Sequence, residues 1–248
     1  MQKTALVVPC YNEERRLSAE PFMRALQDDP ALTVVFVNDG STDRTAAVLR
    51  EICAGSPRLR QIDLAHNAGK AEAVRQGVLR ALEMDVDQVG YWDADLATPL
   101  SELPALAAAI ERPGVDLVLG SRVRLLGRSI ERSRLRHYLG RLFATLASLV
   151  LRLPVYDTQC GAKLFRKTER LARVFAEPFL TRWIFDVEIL ARLAVQEGGP
   201  EALLGKVVEV PLSRWHDVAG SKLRPGAALL AGLELFRVAW WMRRTRPR

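Results

Sequence analysis

Residues 32–45 read LTVVFVNDGSTDRT, an apolar run rich in valine that breaks at an Asn-Asp-Gly turn and gives way to a helix-compatible segment. A short apolar run bounded by turn residues has the length and composition of a buried strand. The same order of strand, polar turn and helix-period segment recurs through the first 121 residues. It predicts strands at Thr4–Pro9, Leu32–Asn38, Leu59–Leu64, Val89–Asp93 and Leu117–Ser121, with helices near Arg16–Gln27, Thr42–Ile52, Lys70–Glu83 and Ser101–Arg112. Ser41 or Thr42 is the expected cap of the second helix and Ser101 of the fourth. Such alternation predicts an α/β fold, a mainly parallel sheet with helices on both faces. Ligands of these sheets bind beyond the carboxyl ends of the strands. The polar clusters Tyr11–Glu14, Asn38–Asp43, His66–Lys70 and Asp93–Asp95 all fall there.

The chain has 248 residues, 49% of them hydrophobic, which is ample for a buried core and excludes a disordered or fibrous protein. Its net charge of +7 is unevenly spread: residues 1–121 hold 12 basic and 18 acidic side chains, residues 122–248 hold 24 and 11. Arg122–Arg152 alone contains eight arginines and one acid, Glu131, interleaved with Leu, Tyr and Phe at helical spacing. This reads as an amphipathic cationic helix or helix pair. A turn region around Pro154 and Gly161 follows, then a helix near Phe185–Gln196, a strand Val207–Leu212, a polar loop over 213–221 and a last helix Ala227–Met242. Without a repeat or a low-complexity linker, the whole of 1–248 is read as one domain. The three scattered cysteines, Cys10, Cys53 and Cys160, form neither a disulfide framework nor a metal knuckle, and are read as reduced cytosolic thiols.

The start shows no secretory signal pattern. The apolar stretches Leu142–Leu151 and Ala227–Met242 fall short of the roughly 20 residues that cross a bilayer. Bracketing arginines and the Trp240-Trp241 pair instead suit helices that lie on an anionic membrane surface.

Asp93-Ala94-Asp95 closes a strand, and its spacing lets a bent turn aim two carboxylates at one hard cation, with phosphate oxygens completing the shell. Alone the triplet is a weak signal and reads more readily as a solvated turn. Asp39 is placed to accept from a base or ribose donor. Neither GxGxxG nor GxxxxGK[ST] occurs, which disfavours a dinucleotide oxidoreductase and a P-loop kinase. A diphosphate in this protein has to be met by a cation or by basic side chains.

Taken together, Val8-Pro9-Cys10-Tyr11-Asn12-Glu13-Glu14, Val37–Asp43, Asn67-Ala68-Gly69-Lys70, Asp93-Ala94-Asp95 and Gly120-Ser121-Arg122 resemble the inverting family 2 glycosyltransferases of the GT-A (Rossmann-like) fold. The runs Asp157–Phe165, Arg182–Glu188 and Gly220-Ser221-Lys222-Leu223 resemble their dolichyl-phosphate β-glucosyltransferase branch. The resemblance implies that residues 1–121 bind a nucleotide-diphosphate sugar and 122–248 bind the acceptor and the membrane. Pro9, Tyr11, Glu13, Asp39 and Lys70 would hold the nucleotide. Asp93 would stand near the ribose or sugar and Asp95 on Mg2+ or Mn2+, with Asp93 beside it. Arg122 and Arg134 would grip the acceptor phosphate, Asp157 and Asp186 would line the sugar and acceptor side, and Ser221-Lys222 would belong to a lid. Mannosyltransferase relatives carry a Gln metal ligand where this chain has Ala97, so metal coordination is thinner here. The implied reaction is glucose transfer from UDP-glucose to a polyprenyl phosphate, on the inner face of the cell membrane. The alternatives are mannose from GDP-mannose, a soluble acceptor, and, from another class, a basic nucleic-acid-binding module. That last reading lacks a recognition motif, and the acidic rim opposes it.

Overall fold

The computed structural model describes residues 2–131, 134–217 and 227–245. The elements in chain order are β1 (Thr4–Cys10), α1 (Glu20–Asp28), β2 (Leu32–Asn38), α2 (Thr45–Ala54), β3 (Leu59–Asp63), α3 (Lys70–Leu82), β4 (Gln88–Trp92), α4 (Leu103–Ile110) and β5 (Leu117–Ser121). There follow β6 (Ser129–Glu131), α5 (Arg134–Leu151), β7 (Ala162–Arg166), α6 (Glu169–Ala176), α7 (Phe185–Gln196), β8 (Val207–Pro211), β9 (Arg214–His216) and α8 (Ala227–Thr245). The main sheet runs β3-β2-β1-β4-β7-β5-β8, parallel except for β7, which is antiparallel to both neighbours. β6 and β9 form a small parallel pair.

The two-residue period of the strands sorts side chains into two cores. Ala5 and Val7 of β1 pack with Val74 and Val78 of α3 and with α5 to α8 on one face. Leu6 and Val8 pack on the other face with Phe22 of α1, Leu49 of α2 and Leu106 of α4. Helices thus cover both faces, as the alternation predicts.

Local departures from the sequence reading have physical causes. α1 begins at Glu20 because residues 13–17 are held in a turn by the amides of Arg16 and Leu17 on the Glu13 carbonyl. α2 begins at Thr45, whose amide donates to the Asp43 carboxylate. Ser41 and Thr42 do not cap it, being bonded instead to Asn12 of the neighbouring loop. Ser101 lies inside a short 3-10 turn, Leu100–Glu102, ahead of α4. The polar loop after Leu212 contains β9, and the last helix runs on to Thr245. The Arg122–Arg152 run, read as helical, is helix among the described residues only from Arg134 and carries β6 before it, while β7 and α6 have no counterpart in the sequence reading. AKLFR carries Lys163 in mid-run, which breaks the apolar signal of a central strand, yet that lysine is fully buried.

Candidate active site

The loops after β1, β2 and β3 are stitched into one edge. Asn12, in the left-handed region at φ 54°, receives the Thr42 amide at 2.9 Å. The Glu13 amide donates to Thr45 Oγ1 at 2.8 Å, and the Glu14 carboxylate receives the Arg44 amide at 2.8 Å. Asp39, 2% exposed, accepts from Ala68 N at 2.8 Å, Gly69 N at 2.9 Å and Asn67 Nδ2 at 3.0 Å. Burial raises its pKa, against the pull of those amides and of the nearby His66 and Arg182. Gly40 (φ 59°) leaves no room for a Cβ, which would overlap the His66–Asn67 backbone. Asp39 therefore acts by pinning the 66–69 loop. Beside it, Pro9 is half-buried at the end of β1, Tyr11 is exposed, and Glu13 forms a two-pronged pair with Arg16 at 2.7 Å.

The Asp93–Asp95 turn leaves β4 on the same edge. Leu96 adopts φ 50°, and the buried Trp92 indole donates to the Thr98 carbonyl at 2.7 Å, so the turn is anchored on its inner side. The Asp93 amide donates to the Gly161 carbonyl at 2.9 Å, and a Cβ at Gly161 would overlap the Asp93 carboxylate. Only glycine admits that approach. Lys70, at the start of α3, brings Nζ to 2.5 Å from Asp93 Oδ1. This is an ion-pair contact outside hydrogen-bond geometry: the buried Oδ1 has no hydrogen-bond partner among the described residues. Burial and the charge of Asp93 raise the pKa of Asp95, which accepts from the Ala97 amide at 3.1 Å.

These carboxylates, with Arg122, Gly161, Trp215 and Asp217, line a pocket of about 130 Å³. Among the described residues no cluster of three or more His, Cys, Asp or Glu is arranged to cage a metal. A pair of carboxylates two residues apart on one pocket wall fits a hard divalent cation that keeps waters and takes substrate phosphate oxygens. A larger groove of about 890 Å³ near Lys3, Arg60 and Met84 contains none of the residues that the sequence singles out.

Two buried ion pairs stand behind the pocket. Arg122 meets Asp157 through Nε at 2.7 Å and Nη2 at 2.8 Å, and lies 5.5 Å from the centre of the Trp215 ring. Burial works to raise the Asp157 carboxyl, but Arg122 outweighs it and holds the pKa below the ordinary carboxylate value. Asp186, in the first turn of α7, forms an ion pair with Lys163 Nζ at 2.7 Å and accepts from the Tyr91 hydroxyl, while Lys163 Nζ donates to the Cys160 carbonyl. Burial and the Asp186 charge push the Tyr91 pKa well up, keeping that phenol a donor. Cys160 between them is a buried neutral thiol, its pKa pushed up to about 11 by burial.

The structure thus gathers Pro9, Tyr11, Glu13, Asp39, Lys70, Asp93, Asp95, Arg122 and Asp157 along one edge, with Asp186 behind them. Arg122, Asp157 and Asp186 all sit in ion pairs, because buried charges require partners. Arg134 opens α5 but its side chain lies outside the described residues, as do Ser221 and Lys222. Sequence reasoning missed Gly161, Lys163 and Glu209, whose carboxylate receives the Tyr156 and Asp157 amides at 2.7 Å. The signals available were the turn at Gly161 and the run Asp157–Phe165 that holds Gly161 and Lys163; Glu209 had none.

α5 and α8 pack together and bury Ala147, Leu151, Leu235 and Val238. Their outer faces leave Leu142, Leu146, Leu149, Leu233, Phe236 and Trp240 exposed. No described helix is long and apolar enough to cross a membrane.

A carboxylate turn and paired cations beyond the carboxyl ends of a mixed sheet define a GT-A type of fold. The sequence profile "Glycosyl transferase family 2" matches residues 5–170, and the chain belongs to that family. It is 32% identical to dolichyl-phosphate beta-glucosyltransferase of Homo sapiens, over 90% of this chain and 70% of that one. It is 34% identical to dolichyl-phosphate beta-glucosyltransferase of Saccharomyces cerevisiae, over 88% and 68%. Glucosyl-3-phosphoglycerate synthase from Mycobacterium tuberculosis, solved with Mn2+, UDP and glucosyl-3-phosphoglycerate, shares the fold at TM-score 0.65 and 21% identity, over 100% of this chain and 81% of that one.

Proposed function

We propose that the protein transfers glucose from UDP-glucose to a polyprenyl phosphate, inverting the anomeric carbon, while seated on an anionic membrane surface. The named relatives supply the reaction class. The observation that carries the lipid acceptor is the exposed apolar face of α5 and α8, with Arg237 and Arg243 of α8 also exposed. On this reading residues 1–121 take the donor and 122–248 the acceptor, at the inner face of the cell membrane, where anionic headgroups attract basic residues.

Pro9, Tyr11 and Glu13 border the nucleotide, and Asp39 shapes the loop that closes on it. Asp95, with Asp93, holds Mg2+ or Mn2+, which when bound offsets the charge developing on the departing diphosphate. Lys70 keeps Asp93 in place and adds positive charge on the leaving-group side. The acceptor, a phosphate monoester with a second pKa of about 6, is already largely ionised near neutral pH, so no strong base is required. Asp157 and Asp186, both ion-paired, serve as positioning groups. Asp157 aims Arg122, whose remaining donors, with Arg134, Ser221 and Lys222, would bring the two anions together.

Incubation with UDP-glucose, magnesium and polyprenyl phosphate in vesicles is expected to yield a lipid-linked glucose. Product from GDP-mannose alone would replace the donor, and transfer only to a water-soluble phosphorylated acceptor would replace the lipid. No product with any of these would overturn the reading.

A further inference from the structure

Most cations of the carboxyl edge are neutralised. Arg16 faces Glu13, Lys70 faces Asp93, Arg122 faces Asp157 and Lys163 faces Asp186. Arg182, in the loop that leads into α7, differs. Its side chain is exposed, and among the described residues its guanidinium makes no hydrogen bond or ion pair. The group nevertheless lies at a defined place. A Cβ on Gly69 would stand 3.5 Å from its Nη2 and 3.7 Å from its Nε, so the guanidinium rests over the peptide that joins the Asp39-bound loop to Lys70. The backbone beneath it is fixed from α8. Glu234 Oε1 receives the Arg182 amide at 3.0 Å, and Oε2 receives the amides of Trp183 and Ile184, each at 3.1 Å. This explains why an acid interrupts the apolar face of α8: it fastens that helix to the entry of α7.

We propose that Arg182 grips the diphosphate of the nucleotide donor and that Glu234 is the positioning residue that aims it. A guanidinium with its planar fork uncommitted is suited to bidentate phosphate recognition. Its seat over Gly69, between the loop pinned by Asp39 and the lysine paired with Asp93, favours the donor diphosphate over the acceptor monophosphate. Arg122, whose fork is half spent on Asp157, is left to the acceptor side. The inference rests on the donor-site reading above and adds to it a residue that the sequence motifs left without a role.

Titration calorimetry of the full chain with UDP and magnesium tests it. Arg182→Ala is expected to weaken UDP by about tenfold to a hundredfold, the range of a hydrogen bond to a charged group, and Arg182→Lys to recover part of that. Binding of a short-chain polyprenyl phosphate is expected to stay within about twofold, inside the usual error of additive effects. Glu234→Ala is expected to weaken UDP in the wild-type background but not in the Arg182→Ala background, a non-additivity that a general loss of folding does not produce. A wild type that binds UDP no better than Arg182→Ala overturns the proposal alone. A variant that keeps UDP but loses polyprenyl phosphate moves Arg182 to the acceptor and likewise overturns it. A wild type that binds no nucleoside diphosphate overturns the donor-site reading and the proposal together.

Discussion

The carboxyl edge of the sheet and the outer face of α5 and α8 handle their side chains in opposite ways. At the edge nearly every charged group meets a partner: Asp39 takes three donors from the 66–69 loop, and Arg122 and Asp157 lock in two prongs. On the helix face large apolar groups such as Leu142 (59% exposed) and Phe236 (69%) stay largely open. Saturated polar bonding makes a rigid, preorganised site, which is what stabilises charge at a reacting centre. A large unsatisfied apolar face is stable only against a partner or a lipid surface. One region is saturated with polar partners and the other is left open, as the membrane-seated reading requires.

The contrast breaks first at the carboxylate turn. Asp95→Ala is expected to lower metal-dependent transfer by about a thousandfold, the scale of losing one preorganised electrostatic contact, with the melting temperature unchanged or raised because an unfavourable buried charge is removed. Chelation of divalent cations should reproduce the loss in the wild type. Gly161→Ala is expected to cost about a hundredfold in kcat/KM, since a 1 Å displacement of a reacting group is enough for that. Its secondary structure by circular dichroism should stay intact.

Arg122→Met tests whether the edge owes its rigidity to paired charge. Leaving Asp157 buried and alone should cost about 3–5 kcal/mol near neutral pH, read by denaturant unfolding. The sign with pH follows from the depressed Asp157 pKa. A carboxyl held below its ordinary value adds stability above the ordinary range and loses it as pH falls through the depressed one. The gap between Arg122→Met and wild type should therefore narrow in acid. The smallest effect belongs to the other region: Leu142→Glu with Phe236→Glu should reduce binding to anionic vesicles by about tenfold, following the lost apolar burial, with thermal stability unchanged. A melting-temperature drop there would mean that the face is core after all.

Much of this was legible in the chain. The β-branched runs ending in polar turns announced parallel strands and the edge where chemistry collects, because strand period and turn chemistry are local. The Asp93–Asp95 turn and Lys70 were visible for the same reason. α7 matched its expected span, Phe185–Gln196, throughout. What could not be read were contacts that join residues far apart. β7 enters the middle of the sheet antiparallel, with Lys163 facing Asp186. No window of sequence reports that a lysine in a strand will find its carboxylate on a later helix.

The sequence by itself determined the layered α/β architecture, the site edge and the basic second half, since these depend on periodicity, turn residues and composition. Tertiary structure alone decided which charges are spent and which remain available. Arg122, Arg182 and Lys163 look alike along the chain, but folding pairs the first with Asp157, buries the third against Asp186 and leaves the second open over Gly69. The physical reason is the cost of burying charge, which obliges each cation to take the partner that the packing brings within reach.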